Sequence, residues 1–104
     1  MSNYKLLYIT CGSKLEANKI GKSLVKNKMA ACTNIIPNIQ SIFKWNNKVK
    51  LSKEYILIGK TQKKNIKKII KSVESQHSYD CPCILFFNID SGNNAFLKWI
   101  SDNS

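Results

Sequence analysis

Alternating strand-like and helical patterns predict an α+β fold for this chain of 104 residues. Three features carry the prediction: a β-rich segment at the start, a long alternating segment in the middle, and two segments with apolar residues at helical spacing. The elements follow in the order β-α-β-β-α-β plus a terminal helix, which is the ferredoxin-like arrangement. Right-handed crossovers place both long helices on one side of an antiparallel sheet. We expect a single domain over residues 1–104.

The chain begins with a predicted strand and helix. Residues 4–10 are rich in β-forming side chains and end at Cys11, beside a glycine. Ser13 opens a predicted capping box with Glu16, in which the serine oxygen accepts an early helical N–H and the glutamate reaches back to the cap. Apolar residues then recur at helical spacing with lysines between them. This pattern predicts an amphipathic helix to about Lys28.

The middle of the chain predicts a long β-hairpin. In residues 31–45, alternate positions form one extended face that is mainly apolar. Asn46 and Asn47 can form a two-residue turn because asparagine tolerates positive φ, and the return strand is expected over residues 48–60. Pro37 cannot donate to a strand ladder, so it marks an edge or a bulge.

The last part of the chain predicts a second helix, a strand and a short terminal helix. Thr61 is expected to cap a helix over residues 63–76, whose apolar residues fall at helical spacing and whose other face carries lysines. The strand over residues 83–89 is almost continuously apolar, which predicts cover on both of its faces. Asn93 or Asn94 is expected to start the terminal helix.

The hairpin is long enough to predict association between copies of the chain. An arm of about 13 residues spans roughly 43 Å, whereas a compact domain of this size is roughly 34 Å across. A protruding ribbon with Phe43 and Trp45 near its tip would expose apolar surface and sheet edges. A second copy of the chain would cover both the apolar surface and the sheet edges. The alternative is a kinked hairpin in which Trp45 is an ordinary surface aromatic.

Composition and charge limit the possible partners and location. The formal charge is +11, and all 17 basic residues are lysine. Arginine, whose planar fork grips phosphates and guanine edges, is absent, so we expect no specific nucleic-acid recognition. No apolar run approaches the roughly 20 residues that cross a bilayer, and no secretory signal is recognisable, so we expect a cytoplasmic protein without a membrane partner. Its four cysteines are then expected to be thiols.

The sequence does not predict an enzyme. One histidine and six scattered acidic residues supply no paired carboxylates, and no serine lies in a nucleophile elbow. No glycine-rich phosphate loop is present. We therefore expect a non-enzymatic protein with no obligatory cofactor.

The densest group of candidate metal ligands follows the second helix: His77, Cys81 and Cys83. Imidazole and thiolate suit copper or zinc, and two thiolates favour Cu(I). In an extended segment both sulfur atoms would point to the same side. The alternative is a pair of reduced structural thiols beside a hydrogen-bonded histidine. Of the other cysteines, Cys32 is expected to be a buried strand thiol and Cys11 a surface thiol at a turn.

Five segments in collinear order resemble the CutA divalent-cation tolerance family, and together they span nearly the whole chain. They are AACTNIIP at 30–37, SIFKW at 41–45, EYILIGKT at 54–61, HSYDCPC at 77–83 and FLKWI at 96–100. The chain departs from the family pattern at Ser78, where a proline is usual, at Cys83, where a glutamate is usual, and at Asn47, where the hairpin glycine is usual.

The resemblance implies a homotrimer with the architecture of the PII signalling proteins, and a function in divalent-cation tolerance with copper as the expected ion. Glu54 and Lys60 share one strand parity and match positions that recur in the family pattern. With Trp45 and Tyr79, they are expected at an interface or intersubunit cleft; the alternative is that Glu54 and Lys60 are an ordinary surface carboxylate and lysine. The alternative function is a PII-like signalling or scaffold trimer that binds a partner protein or small effector in those clefts.

Overall fold

A computed structural model of the chain describes residues 3–104 and confirms the predicted element order. The strands are β1 (Tyr4–Cys11), β2 (Cys32–Trp45), β3 (Lys48–Gln62) and β4 (Ile84–Asn88), and the helices are α1 (Lys14–Lys26), α2 (Ile66–Gln76) and α3 (Asn94–Asn103). A single 3₁₀ turn (Lys63–Asn65) leads into α2. None of the helices in residues 3–104 is long and apolar enough to span a membrane.

The four strands form one antiparallel sheet in the order β2-β3-β1-β4. Its core lies between the sheet and the two long helices. Leu7 and Ile9 of β1 are fully buried against Ile20 of α1 and Ile69 of α2. Burying each of these side chains stabilises the fold by about 1.5–3 kcal/mol. The alternating burial of β1 shows that α1 and α2 cover one face of the sheet, as predicted.

The hairpin of β2 and β3 has the predicted turn and the predicted irregularity. Asn46 and Asn47 both have positive φ, 52° and 62°, as a type I′ turn requires. The ladder shifts register between Ile36 and Ile39, so the strand bulges around Pro37. The molecule extends 45 Å along its longest axis and only 25 and 23 Å along the others. The hairpin therefore protrudes, as its length predicted.

The predicted helix cap at Thr61 is wrong. The ladder between β1 and β3 continues to the pair Tyr4 and Gln62, so Thr61 is a strand residue. It is fully buried and its hydroxyl donates to the main-chain carbonyl of Met29. The chain then enters α2 through the 3₁₀ turn, and neither Gln62 nor Asn65 supplies a side-chain cap.

The predicted cover on both faces of the last strand is also wrong within one chain. β4 is an edge strand, and Leu85 and Phe87 on its outer face are 50% and 49% exposed. Helix α3 does lie on that side of the sheet, where Gln62 Nε2 donates to the main-chain carbonyl of Ser104 at 2.9 Å. It covers only the end of the sheet near Gln62. The rest of this open face carries exposed apolar side chains.

Candidate metal centre

His77 directly follows the last residue of α2, and its ring is turned into the protein. The ring nitrogen Nε2 lies 2.8 Å from the main-chain oxygen of Thr10, and Nδ1 accepts the main-chain N–H of Tyr79 at 3.1 Å. A carbonyl oxygen can only accept, so Nε2 carries the proton and Nδ1 presents its lone pair. The His77 side chain has no exposed surface. This arrangement fixes the tautomer and orientation of the imidazole.

Glu16 lies beside His77 rather than over its own helix cap. Ser13 caps α1 as predicted, because its hydroxyl accepts the N–H of Glu16 at 3.1 Å. The other half of the predicted capping box is wrong, because the Glu16 carboxylate accepts the main-chain N–H of Ser78 through Oε2 at 2.9 Å. Its second oxygen, Oε1, is buried without a hydrogen-bond partner and lies 3.7 Å from His77 Nδ1. A buried carboxylate oxygen without a partner is costly.

Cys11 lies close to His77 and Glu16, and its predicted position at the surface is wrong. It continues the buried parity of Leu7 and Ile9 along β1 and is fully buried. Burial raises the pKa of the Cys11 thiol to about 12, and the charges of Glu16 and Glu54 act in the same direction. The thiol is therefore neutral at physiological pH unless a cation stabilises the thiolate.

Cys11, Glu16 and His77 offer one sulfur, one oxygen and one nitrogen atom that all lie within 4.8 Å of one another. Within residues 3–104, they are the one group of this kind. Thiolate and imidazole suit zinc and copper. A cation would satisfy the partnerless oxygen of Glu16, and the bond from Nε2 to a main-chain carbonyl is the usual outer contact of a metal-binding histidine. These three side chains fit a transition-metal ion that displaces the main-chain N–H of Tyr79 from the Nδ1 lone pair of His77.

A cavity of about 750 Å³ lies next to this group, between the hairpin and the loop after α2. Trp45, Glu54, Tyr79, Cys81 and Cys83 are among its lining residues. The Tyr79 hydroxyl donates to Glu54 Oε2 at 2.6 Å. Partial burial, followed by this hydrogen bond to a carboxylate, raises the pKa of Tyr79 above its ordinary range. Three of the four residues predicted for a cleft thus meet at one cavity.

Of the remaining predicted site residues, Cys81 and Cys83 line the cavity and Lys60 lies apart from it. Lys60 shares the open face with Glu54, but it donates to Asn34 and does not line the cavity. Cys81 is exposed and Cys83 is half-buried, and burial is the main cause that raises the pKa of the Cys83 thiol.

The predicted set of His77, Cys81 and Cys83 is not among the close groups of ligand atoms in the described residues. As a site for copper, it stays a prediction. Sequence reasoning did not select Cys11 and Glu16 as ligands. The buried parity of β1 is the signal that would have placed Cys11 inside.

Comparison with known proteins agrees with the fold and the sequence segments. A family model described as CutA1 divalent ion tolerance protein matches residues 5–103. The chain belongs to this family. The match extends from β1, of which it omits only Tyr4, to the end of α3, and it confirms the resemblance seen in the sequence.

Individual CutA relatives match along most of the chain. The divalent-cation tolerance protein CutA of Archaeoglobus fulgidus is 38% identical over 99 residues, which cover 95% of this chain and 96% of that protein. The chloroplastic protein CutA of Arabidopsis thaliana is 31% identical over 95% of this chain, which spans only 54% of that longer protein. The structure of the divalent cation tolerance protein from Thermus thermophilus superposes with a TM-score of 0.95 at 34% identity, covering 97% of this chain and 98% of that one.

Proposed function

We propose that this protein is a non-enzymatic, homotrimeric metal-response protein that reversibly binds a transition-metal ion, with copper as the expected ion. The observation that carries the proposal is the partnerless, buried Oε1 of Glu16, which faces His77 and lies beside the Cys11 thiol. The ion is a ligand to be sensed or held, not an obligatory cofactor. The names of the relatives from Archaeoglobus fulgidus and Thermus thermophilus, which refer to divalent-cation tolerance, support the same function.

Copper is expected because of the chemistry of the donors. A thiolate and an imidazole prefer Cu or Zn to Mg or Ca, and affinity among divalent first-row ions is highest for Cu²⁺. Cys81 and Cys83 line the neighbouring cavity and offer two more thiols. Together with His77 they form the second candidate ligand set, which two thiolates would bias toward Cu(I).

The homotrimer is supported by the apolar surface of the hairpin. Ile42, Val49 and Leu51 are 68%, 74% and 64% exposed, and the ladder places them on one face of the ribbon. A two-stranded ribbon of this kind is marginal alone, and the free edges of β2 and β4 invite pairing with another chain. Light scattering should give about three times the 11.9 kDa of one chain. A particle of 11.9 kDa at micromolar concentration would contradict the trimer.

The second candidate function is a PII-like trimer that binds a small effector or partner protein. The cavity beside the Tyr79–Glu54 hydrogen bond favours it, because Trp45 supplies an aromatic wall and Glu54 a buried carboxylate. A neighbouring chain docked on the hairpin would enclose this space as an intersubunit cleft. Protein that stays metal-free when copper is offered, yet captures an effector, would favour this function.

We propose that the protein is located in the cytoplasm. All four cysteines are free thiols, the form that a reducing compartment maintains. Cell fractionation with an antibody to the chain tests this location. Recovery with a membrane or an exported fraction would contradict it.

An anaerobic titration of copper against a chromophoric chelator tests the metal site. Glu16→Gln keeps the size of the side chain but removes the charge, and it should weaken binding about 10-fold or more; Cys11→Ser should do the same. The paired substitution Cys81→Ser with Cys83→Ser should leave the affinity unchanged, as should the control Cys32→Ser. If only the paired substitution weakens binding, the ion belongs to the second ligand set. If no variant changes the affinity, the metal proposal fails.

A further inference from the structure

Lysines are concentrated on the side of the molecule away from the cavity. Four lie along α1 and five along residues 63–71, which makes nine of the 17 in the chain. All nine are exposed: Lys14, Lys19, Lys22, Lys26, Lys63, Lys64, Lys67, Lys68 and Lys71. Both elements pack on the same face of the sheet, so their charges form one surface, which we call the basic helix face.

The lysines of the basic helix face form no ion pair within the described residues. Among residues 3–104, the one lysine in an ion pair is Lys98, which bonds Asp102 on α3. The acidic residues of α1 and α2 are Glu16, which is turned inward toward His77, and Glu74, which is exposed, so one surface carboxylate stands against nine lysines. The lysines of this face are therefore free to meet an external anion.

Their spacing along α2 makes the charges act together. Lys63, Lys67 and Lys71 recur every fourth residue, as do Lys64 and Lys68, and at the rise of an α-helix positions four residues apart are separated by about 6 Å along the axis. This is less than the screening length of about 10 Å at 0.1 M salt. Like charges at this spacing repel each other and destabilise a helix. A bound polyanion would remove that repulsion.

We propose that the basic helix face binds the phosphate backbone of nucleic acid without reading its sequence. Lysine ammonium groups act as point charges on phosphates, whereas base recognition relies mainly on side chains that hydrogen-bond base edges. An anionic membrane fits less well, because surface-binding helices insert apolar side chains. The apolar residues of α2 are not available for that, because Ile69 and Val73 are fully buried and Ile66 and Ile70 are half-buried. On α1 the exposed apolar residues are Leu15 and Val25, at 80% and 40%, which do not form a continuous apolar stripe.

Fluorescence anisotropy with a labelled DNA duplex of about 24 base pairs over a salt series tests the proposal. The helix variant Lys63→Gln, Lys67→Gln, Lys71→Gln should bind at least about 10-fold more weakly at about 50 mM salt, and the slope of log K against log salt should fall by about 2 to 3. The hairpin variant Lys44→Gln, Lys48→Gln, Lys53→Gln removes the same net charge from exposed positions elsewhere. The hairpin variant should retain most of the affinity for DNA. The parent protein should bind a second duplex of unrelated sequence as tightly as the first.

Three results would overturn the proposal: no binding by the parent protein at low salt, equal losses in both variants, or a strong preference for one duplex sequence. Vesicles with about 30% anionic lipid that compete more strongly than unlabelled duplex would also overturn it. Circular dichroism checks that each variant is folded. The copper titration of the helix variant should match that of the parent protein, so failure here is distinct from failure of the metal site.

Discussion

The Tyr79 hydroxyl donates a 2.6 Å hydrogen bond to Oε2 of Glu54, and this contact connects the loop after α2 to the base of the hairpin. Glu54 is 6% exposed, so its carboxylate depends on protein partners. Two residues before Tyr79, the His77 ring joins the same loop to Thr10 at the end of β1. The candidate metal centre and the cavity are thus held by one short segment.

Tyr79→Phe should lower the free energy of unfolding by about 1–3 kcal/mol, because it removes a hydrogen bond to a buried charged group. Urea unfolding at a fixed protein concentration measures the loss. Tyr55→Phe is the matched control, since the structure gives its hydroxyl no hydrogen bond. Equal stability of the two variants would show that the contact to Glu54 contributes nothing.

Stability should fall as the pH rises above 9, partly because of Cys11. The pKa of its thiol is about 12 in the folded protein and has an ordinary value of 9.0. Above pH 9 the unfolded chain loses this proton while the folded protein retains it, so unfolding becomes easier. The stabilisation is complete below pH 9 and is lost as the pH approaches 12.

Cys11→Ala provides the measurement for this prediction. Between about pH 9 and 10 its unfolding free energy should fall less steeply than that of the parent, by at most about 1.4 kcal/mol per pH unit. The burial-raised pKa values of Cys83 and Tyr79 act in the same direction, and they remain in both proteins. Below about pH 8 the two slopes should coincide. Identical slopes above pH 9 would contradict the assignment to Cys11.

The hairpin turn should tolerate glycine better than alanine at Asn47. Its φ of 62° lies in the left-handed region, where a β-carbon costs roughly 1–2 kcal/mol and asparagine is tolerated better than alanine. Asn47→Ala should therefore destabilise by about 1 kcal/mol, while Asn47→Gly should stay within about 0.5 kcal/mol of the parent. Thermal unfolding compares them, with Asn93→Ala as control because its φ is −66°. A larger loss for glycine than for alanine would rule out the turn geometry.

The sequence predicted the features that depend on local patterns. Alternation and helical spacing predicted the order of the elements. The missing N–H of Pro37 predicted the bulge, and the tolerance of Asn46 and Asn47 for positive φ predicted the turn. The prediction failed where pairing between strands that are distant in the sequence determines where an element ends. Thr61 resembles a helix cap, but its neighbour Gln62 pairs with Tyr4, so the strand continues through Thr61 and ends at Gln62.

The candidate site was only partly predictable for the same reason. Trp45, Glu54 and Tyr79 were found together because the family resemblance selects them. Cys11 and Glu16 meet His77 through the packing of α1 and α2 against β1, and Glu16 also has a local use as a capping residue that the structure does not adopt. A contact between residues 11 and 77 leaves no local pattern in the sequence.

X-ray absorption at the zinc edge of protein loaded with one equivalent of Zn²⁺ tests the metal centre most directly. Ligation by Cys11, Glu16 and His77 predicts one sulfur atom at about 2.3 Å, with the remaining ligands nitrogen or oxygen at about 2.0–2.2 Å. That signal should lose its sulfur in Cys11→Ser and keep it when Cys81 and Cys83 are both replaced by serine. A shell with two sulfur atoms or a shell with none would contradict the proposed centre.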